Sequence, residues 1–456
     1  MKILSSFLLS LAFLSCSDAA LNETYDEYTS RLQGMFEAEF ALQNEAFALW
    51  IGIADPDYGD MYFVLGNATG DSSPPTEPAT LDQHFDIGSI SKTFGGTLTM
   101  LMVEEGLLEL DDTVEMLVPE FTEMFPQYAN NTVEELLRMK TRVPDFINDP
   151  EGVLADYSQD ITKRYTADEV VAGAMTRYPA DIGTYSSTNF VTLDVIAESL
   201  SGRPITELMQ EYVLDPLMLT NTKLPDRLSE GVRPEPAVTP YAGPSCLGEL
   251  VDFGYPGAEE YSDITEFARG IVMAGSAGAI SSDITDLLEW AKSGTGDRLL
   301  SAEMVAKRHQ YDEEIPTGFV LAYGMAQFKY IAGWVSVNPF YKDFYGHSGD
   351  ALGFGANAMK NDVLNVSLAT ADNTCGYGGM HDMVMRVVTD ELTARQSMAP
   401  DDDVVPTGAP TTDDAPTDTD DSILPETPAP TPEPTSSASA ARMSLLALGS
   451  ALLALM

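Results

Sequence analysis

The chain has 456 residues, and 44% of them are hydrophobic, so it is long enough to bury one large core or two modest ones. Its 71 Asp and Glu residues outnumber its 24 Lys and Arg residues, which gives a formal net charge of −47. Such an acidic surface repels phosphate groups, which excludes DNA and RNA as partners and disfavours direct binding to anionic membranes.

Residues 1–20 predict a secretory signal peptide. Lys2 is followed by an apolar run over residues 3–14, which is too short to span a bilayer. Cleavage is expected near Ala20. Lipidation of Cys16 is the alternative, but the residues before Cys16 match such a site poorly.

Apolar patterns along residues 21–396 predict one mixed α/β domain. Helical periodicity covers residues 30–44, strand-like runs cover 47–53 and 61–65, and helical patterns dominate from 91 to about 272. Strand patterns return at residues 318–329, 333–337, 343–347 and 365–371, before a closing helix over 380–395. Because strands lie on both sides of a helical middle, we expect an inserted helical subdomain and a cleft beside it.

The strongest chemical signal is a Ser-x-x-Lys pair formed by Ser89 and Lys92. Residues three apart on a helix share a face, so the Lys92 amine can take the Ser89 hydroxyl proton when burial keeps that amine neutral. Gly88 permits a tight turn before the pair, and a helix N-terminus offers unpaired N–H groups to an oxyanion. The pattern predicts a serine nucleophile, although a bare Ser-x-x-Lys also arises by chance.

Two later segments, Tyr185-Ser186-Ser187 and His347-Ser348-Gly349, follow this pair in the chain. With Ser-x-x-Lys, their order resembles that of the penicillin-recognising serine hydrolases. The branch concerned contains class C β-lactamases, serine D-alanyl-D-alanine carboxypeptidases, D-aminopeptidases and related esterases. Further similarities run from about Glu39 to Thr393, including residues 105–121, 213–222 and 277–287.

This resemblance implies a β-lactamase/transpeptidase-like α+β fold, in which an antiparallel sheet is flanked by terminal helices and carries the helical insertion, about 91–272. It implies that Ser89 attacks the carbonyl carbon. Tyr185 would take or relay the proton as a phenolate whose pKa is lowered by Lys92. The N–H groups of Ser89 and Asp350 would form the oxyanion hole. The implied reaction is hydrolysis through an acyl-enzyme.

Departures from the family pattern bear on the substrate. Ser187 stands where the family usually has Asn, so a hydroxyl replaces the amide that holds the acyl group. His347 replaces the lysine of β-lactamases, and a neutral imidazole anchors a carboxylate less firmly than an ammonium does. The expected substrate-binding residues are Ser187, His347 and Gly349. Asp350 places a negative charge beside the oxyanion hole and is expected to discourage anionic substrates.

Three cations, Arg138, Lys140 and Arg142, occur where the family usually reads L-L-x-H-T-S-G-L. They could offset Asp350 or bind an anionic group. A solvated helix end is the commoner explanation for such a cluster.

The C-terminal part predicts surface anchoring. Residues 397–435 are rich in Pro, Thr, Asp and Ala, which is typical of an extended, disordered stalk. Residues 436–456 combine small residues with a terminal apolar tail, as in a GPI-attachment signal. A C-terminal membrane anchor is the alternative, but the apolar part falls short of the roughly 20 residues that a spanning helix needs.

Secretion is compatible with four Asn-x-Ser/Thr sites, at Asn22, Asn67, Asn130 and Asn365. After signal removal Cys246 and Cys375 remain, and they form either a disulfide or two separate thiols.

The expected function is that of a secreted, GPI-anchored serine hydrolase that cleaves an ester or amide of a small or peptide-like substrate. No cofactor or metal is expected, because no cluster of His, Cys or carboxylates has metal-ligand spacing. The alternatives are D-alanyl-D-alanine carboxypeptidase, D-aminopeptidase or β-lactamase activity, or a non-catalytic binding or scaffold protein that keeps the fold. The sequence predicts no oligomeric state.

Overall fold

The computed structural model describes residues 23–43, 47–69, 77–148, 152–174, 184–243, 247–252, 255, 259–311, 321–330, 338–374 and 379–398. The expected signal peptide, the GPI signal and residues 399–435 of the stalk lie outside these residues. So do Asn22, Cys246, Cys375 and the strand expected over residues 333–337.

Nine strands occur within the described residues. They are β1 (Ala48–Asp55), β2 (Gly59–Gly66), β3 (Phe85–Asp86), β4 (Ser281–Ser282), β5 (Leu321–Tyr323), β6 (Phe328–Tyr330), β7 (Phe344–Ala351), β8 (Phe354–Asn361) and β9 (Val366–Asp372). Seven of them form one antiparallel sheet in the order β2-β1-β9-β8-β7-β6-β5. The antiparallel sheet expected from the family resemblance is therefore confirmed.

The helices within the described residues fall into a terminal pair and a long middle group. They are α1 (Tyr25–Gln43), α2 (Ser91–Glu104), α3 (Val114–Leu117), α4 (Pro119–Met124), α5 (Val133–Leu137), α6 (Val153–Gln159), α7 (Ala167–Ala174), α8 (Thr188–Ser201), α9 (Ile205–Met209), α10 (Leu247–Asp252), α11 (Thr265–Ala268), α12 (Ile284–Lys292), α13 (Ala302–Arg308) and α14 (Gly379–Met398). Short 3₁₀ turns cover Gly88–Ile90, Phe146–Asn148 and Arg269–Ala277.

Helices cover both faces of the sheet. Phe36 of α1 packs edge-on against Phe63 of β2, with ring centroids 5.2 Å apart. Leu288 of α12 packs over Gly52 of β1, where an added Cβ would lie 3.2 Å from the Leu288 Cβ. Phe63 pairs with Ile51, the neighbour of Gly52, and successive side chains of a strand point to opposite faces. The two helices therefore lie on opposite sides of the sheet, as a buried core requires.

The sequence patterns missed β8, which lies in the middle of the sheet. All but one of its residues are buried, because α12 packs on one of its faces and α14 on the other. On the α14 side, the Asn357 amide lies 3.8 Å from the Met385 sulfur. A strand buried on both faces shows no polar alternation, and the small residues of β8 weaken its apolar signal further.

Helix α5 begins with a capping box at Thr132. The Thr132 hydroxyl accepts from the Glu135 backbone N–H, and the Glu135 carboxylate accepts from the Thr132 N–H. These contacts fix the start of α5. Among the described residues, no helix is both long and apolar enough to cross a membrane.

Candidate active site

Ser89 lies between the short strand β3 and helix α2, inside the 3₁₀ turn. β3 pairs with β4, and the Ile87 N–H donates to the Ile280 carbonyl at 3.0 Å, so the segment before Ser89 is tied to the rest of the domain. Gly88 has a φ of 50°, a conformation that favours glycine. Ser89 itself is half-buried. The turn therefore presents the Ser89 hydroxyl from a fixed backbone.

Lys92 is fully buried in the first turn of α2. Its Nζ lies 2.9 Å from the Ser89 Oγ and donates to the Ala277 carbonyl oxygen at 2.7 Å. Burial lowers the pKa of Lys92 to about 7, and the negative charge of Asp145 opposes this shift. A neutral amine can donate one N–H to Ala277 and accept the Ser89 proton on its lone pair. The expected Ser-Lys pairing is thus present in the geometry.

The backbone of β7 lies directly against the turn that carries Ser89. A Cβ added to Gly88 would lie 2.4 Å from the Asp350 carbonyl oxygen and 2.7 Å from the Asp350 nitrogen. A Cβ added to Gly349 would lie 1.9 Å from the Ile87 carbonyl oxygen and 3.0 Å from the Ser89 nitrogen. The glycines thus let the Ser89 and Asp350 N–H groups approach each other, as the proposed oxyanion hole requires. The Asp350 side chain is exposed.

Tyr185 lies beside the buried amine. The Lys92 Nζ is 4.8 Å from the centroid of its ring. The Tyr185 hydroxyl is shielded from solvent and has no hydrogen-bond partner of good geometry within the described part of the chain, although nearby Ser89 lowers its pKa. Burial outweighs that effect and raises the pKa of Tyr185 well above its usual value.

The expectation that Tyr185 acts as a phenolate is therefore wrong. Desolvation of the phenol dominates over any stabilisation of the anion, so the group stays protonated at neutral pH. A protonated phenol can relay a proton between two neighbouring oxygens, but it is not the base that deprotonates Ser89. Of these two groups, Lys92 is the one with a pKa in the working range.

The loop between α5 and α6 carries Asp145 to the site. The Thr188 and Ser186 hydroxyls donate to the Pro144 carbonyl oxygen at 2.7 and 3.2 Å, and the Phe146 N–H donates to the Thr188 hydroxyl at 3.0 Å. These bonds fasten the loop to the residues that follow Tyr185. They hold the Asp145 carboxylate close enough to Lys92 for each group to change the pKa of the other.

Ser187, expected to bind substrate, is fully buried. It lies against Asp145 and lowers the pKa of that carboxyl, without a hydrogen bond of good geometry from its hydroxyl within the described residues. Burial is the larger effect and raises the pKa of Asp145 to about 6. Ser187 therefore lies against the Asp145 carboxyl, and its role in substrate binding stays a prediction.

His347 was also expected to bind substrate, and it too is buried, with 3% of its surface exposed. Its Nε2 lies 3.1 Å from the Tyr323 hydroxyl, and its Nδ1 lies against the Ser348 carbonyl oxygen. Burial, and next the charge of Lys92, lower the pKa of His347 to about 3, so the ring is neutral. Gly349 contributes backbone alone, at the close approach to Ile87.

Arg138, the first of the three cations, is buried and does not belong to a solvated helix end. Arg138 is 3% exposed and donates to the carbonyl oxygens of Gln310 and Lys307 at 2.5 and 2.7 Å. It also pairs with Glu134 at 2.7 Å. Arg138 therefore ties α5 to the end of α13, which leaves Arg142 as an exposed cation of this cluster.

Helix α8 supports the acceptor of Lys92. Its buried Asp194 accepts from the Ser276 N–H at 3.0 Å and pairs with buried Arg227. Ser276 immediately precedes Ala277, whose carbonyl oxygen contacts the Lys92 amine. The same helix begins just after Tyr185. Helix α8 therefore positions both Tyr185 and the Ala277 carbonyl beside Lys92.

Sequence reasoning missed Asp145, Tyr323 and the Ala277 carbonyl. Asp145 closely follows the stretch compared with L-L-x-H-T-S-G-L, and that proximity was its one available signal. Tyr323 carries no motif, and Ala277 begins the family-like segment 277–287 without any sign there of its contact with Lys92. Both residues reach the site through tertiary packing. Within the described residues, no group of His, Cys, Asp and Glu could hold a metal ion.

The Beta-lactamase family model matches residues 54–375. The protein flp of Staphylococcus aureus (strain COL) is 26% identical over 141 residues, which are 30% of this chain and 27% of that protein. The chain thus spans little more than a quarter of the length of this relative. Unguisins hydrolase ungD of Aspergillus violaceofuscus is 24% identical over 80% of this chain and 66% of that protein.

Solved structures share the fold. A D-stereospecific amidohydrolase from Streptomyces sp. superposes with a TM-score of 0.62 at 21% identity, over 77% of this chain and 97% of the other. The D-amino acid amidase from Ochrobactrum anthropi SV3, complexed with L-phenylalanine, gives 0.63 at 20% identity, over 80% and 97%. An octameric penicillin-binding protein homologue from Pyrococcus abyssi gives 0.61 at 19% identity, over 80% and 77%. The Beta-lactamase family model is matched across the site in which Ser89 and Lys92 are in contact, and the chain therefore belongs to the Beta-lactamase family.

Proposed function

We propose that the chain hydrolyses a small ester or amide through an acyl-enzyme on Ser89. The observation that carries the proposal is the contact between the buried Lys92 amine and the Ser89 hydroxyl at 2.9 Å. An amine with a pKa of about 7 is neutral in about half of the molecules at neutral pH and is a competent base there.

Acylation begins when the Lys92 amine takes the Ser89 proton and the Ser89 oxygen attacks the carbonyl carbon. The carbonyl oxygen becomes an oxyanion, which the N–H groups of Ser89 and Asp350 stabilise. Collapse of this intermediate breaks the bond to the leaving group. The leaving group takes a proton through the Tyr185 hydroxyl, which Lys92 replenishes.

Deacylation follows the same route in reverse. Water enters beside the acyl group, gives its proton to the neutral Lys92 amine and attacks the acyl carbon. The Ser89 oxygen then leaves and recovers a proton from Lys92. The net reaction consumes one water and returns every protein group to its starting state.

Amides are supported as substrates by the structural neighbours, which are named as amidohydrolases and amidases. D-aminopeptidase activity remains the main alternative within the same chemistry. A scaffold protein without activity is disfavoured, because a fully buried lysine with a lowered pKa costs stability and has a direct use in catalysis.

Secretion and a C-terminal GPI anchor belong to the same proposal. They are supported by the apolar segment at residues 3–14, the Pro-rich segment from 397 and the apolar C-terminal residues. Asn130 and Asn365, two of the expected glycosylation sites, have exposed side chains. A GPI-cleaving phospholipase should release the protein from its host cells, whereas retention on the membrane would contradict the anchor.

A fluorophosphonate probe tests the reaction. The Ser89 oxygen should displace fluoride from the probe, so the wild-type protein should gain the mass of one probe less HF, and Ser89→Ala should gain none. Ser201→Ala is a matched control, because the Ser201 hydroxyl donates to the Ala197 carbonyl at the far end of α8. A folded wild-type protein that does not react at Ser89 would contradict the proposed function.

A further inference from the structure

His347 offers no N–H group to a ligand. Its Nδ1 lies against the Ser348 carbonyl oxygen, which can only accept, so Nδ1 carries the ring proton. In a neutral ring Nε2 is then an acceptor, and the Tyr323 hydroxyl 3.1 Å away donates to it. Both nitrogens are satisfied by the protein itself.

Three aromatic rings surround the His347 side chain. The ring centroids of Phe328, Tyr323 and Tyr185 lie 5.0, 5.8 and 6.2 Å from that of His347. Tyr323 is itself 2% exposed and ends β5, where it pairs with Phe328 of β6. To contact Nε2, a carboxylate oxygen would have to displace the Tyr323 hydroxyl, and it would then be repelled by the lone pair of Nε2.

The ring borders the part of the cleft that receives the leaving group. In the proposed reaction the Tyr185 hydroxyl delivers the proton to that group, and the His347 ring lies beside the Tyr185 ring. Asp350, three residues along β7 from His347, adds a negative charge at the exposed edge. A carboxylate on the leaving group would therefore meet an uncharged ring, a lone pair and a second carboxylate.

We propose that the Tyr323–His347 pair makes the site reject substrates whose leaving group bears a carboxylate, so that its substrates release an uncharged or amine-bearing group. This inference rests on the proposed function and names the substrate class of the same site. It separates the chain from enzymes that release a C-terminal amino acid with a free carboxylate, and it favours carboxamides and simple esters.

Two matched aryl esters test the inference. Both carry the same phenylacetylglycyl acyl group, and the leaving phenol bears either a carboxylate or a carboxamide at the same ring position. The wild-type kcat/KM should be at least about tenfold higher for the carboxamide, because the carboxylate is left without a partner. Equal values, or a preference for the carboxylate, would overturn the inference.

The variant Tyr323→Phe tests whether the Tyr323–His347 pair causes the preference for the carboxamide ester. Without the hydroxyl, a substrate carboxylate can approach Nε2 and stabilise a proton there, against the burial and the Lys92 charge that keep the free ring neutral. The preference for the carboxamide should therefore fall at least about threefold, and more at about pH 5 than at about pH 8. Tyr345→Phe is the control on β7, because the Tyr345 hydroxyl donates to Asp362 at 3.1 Å. An unchanged preference in Tyr323→Phe would contradict the role of the pair.

Nitrogen NMR of labelled histidine measures the protonation of the two His347 nitrogens without any substrate turnover. The His347 signals should show a protonated Nδ1 and an unprotonated Nε2 that do not titrate from about pH 5 to about pH 9, and Tyr323→Phe should move the Nε2 signal. An imidazolium at about pH 6 would overturn the inference. Ser89 labelling by the fluorophosphonate separates the two failures: a labelled protein that does not discriminate refutes this inference alone, whereas an unlabelled one refutes the proposed function.

Discussion

Asp145 and Lys92 each change the affinity of the other for protons. The Asp145 carboxylate raises the pKa of Lys92 against the effect of burial, and the Lys92 ammonium lowers the pKa of Asp145 against the same effect. The two groups come from different parts of the chain, Lys92 from α2 and Asp145 from the loop fastened to residues 186–188. The protonation of Lys92 is therefore set partly by the loop between α5 and α6.

The pH profile of kcat/KM should expose this coupling. Activity should fall as the pH drops through about 7, because the Lys92 amine becomes protonated and can no longer act as a base. Asp145→Asn removes the charge that raises the Lys92 pKa, so the acidic limb should move to lower pH. Asp168→Asn, an exposed position on α7, is the control and should leave the limb in place. An acidic limb at the same pH in Asp145→Asn as in the wild type would contradict the coupling between Asp145 and Lys92.

Lys92→Met should abolish turnover and yet stabilise the fold at pH 7. The pKa of Lys92 is 10.5 in its unperturbed state and about 7 in the folded protein, a difference that corresponds to about 5 kcal/mol of unfavourable burial of charge. The variant also loses the hydrogen bond to the Ala277 carbonyl, which offsets part of the stability gained by removing the buried amine. We therefore expect the free energy of unfolding to rise by about 2 kcal/mol.

The stability difference between Lys92→Met and the wild type depends on pH. Between about 7 and 10.5 the unfolded lysine holds a proton that the folded one has lost, so wild-type stability rises with pH in that window. The advantage of Lys92→Met should therefore shrink towards pH 10. Denaturant titrations at both ends measure it, with Lys307→Met as an exposed control expected to change stability little. A Met variant less stable than wild type at pH 7 would refute the buried-charge argument.

Gly88→Ala should cost at least about a hundredfold in kcat/KM. The new Cβ would lie 2.4 Å from the Asp350 carbonyl oxygen, so the backbone of the oxyanion hole must move. Gly106→Ala is a close control, because Gly106 also has a positive φ, of 72°, but an added Cβ meets nothing within 4 Å. That control should lose about 1 kcal/mol of stability and keep its activity. Equal activity losses in both variants would show that backbone strain, and not the hole, is responsible.

Asp350→Asn should raise the turnover of anionic substrates relative to neutral ones. Its side chain is exposed, so solvent screens the repulsion, and we expect a change of about threefold to tenfold in the ratio of kcat/KM values. The effect should shrink as salt is added. The backbone N–H remains in place, so turnover of a neutral ester serves as the internal reference. A ratio that does not change would mean that the carboxylate points away from bound substrate.

Much of the site followed from the sequence, but its protonation states did not. The spacing of Ser89 and Lys92 placed their contact correctly, since residues three apart on a helix are neighbours. The phenolate assigned to Tyr185 failed because burial, which only tertiary packing decides, raises the pKa of the phenol more than the nearby Ser89 hydroxyl lowers it. Tyr323 could not be foreseen, since its contact with His347 spans separate strands and follows no motif.

Helix α8 has a consequence for how the enzyme is switched on during folding. It begins after Tyr185, its Asp194 holds the segment that ends in Ala277, and its first residues fasten the loop of Asp145. A chain in which the sheet has formed but α8 has not docked would carry a serine without a working base. Such a partly folded chain would be chemically inactive, so in the proposed reaction Ser89 can be acylated only after α8 has docked.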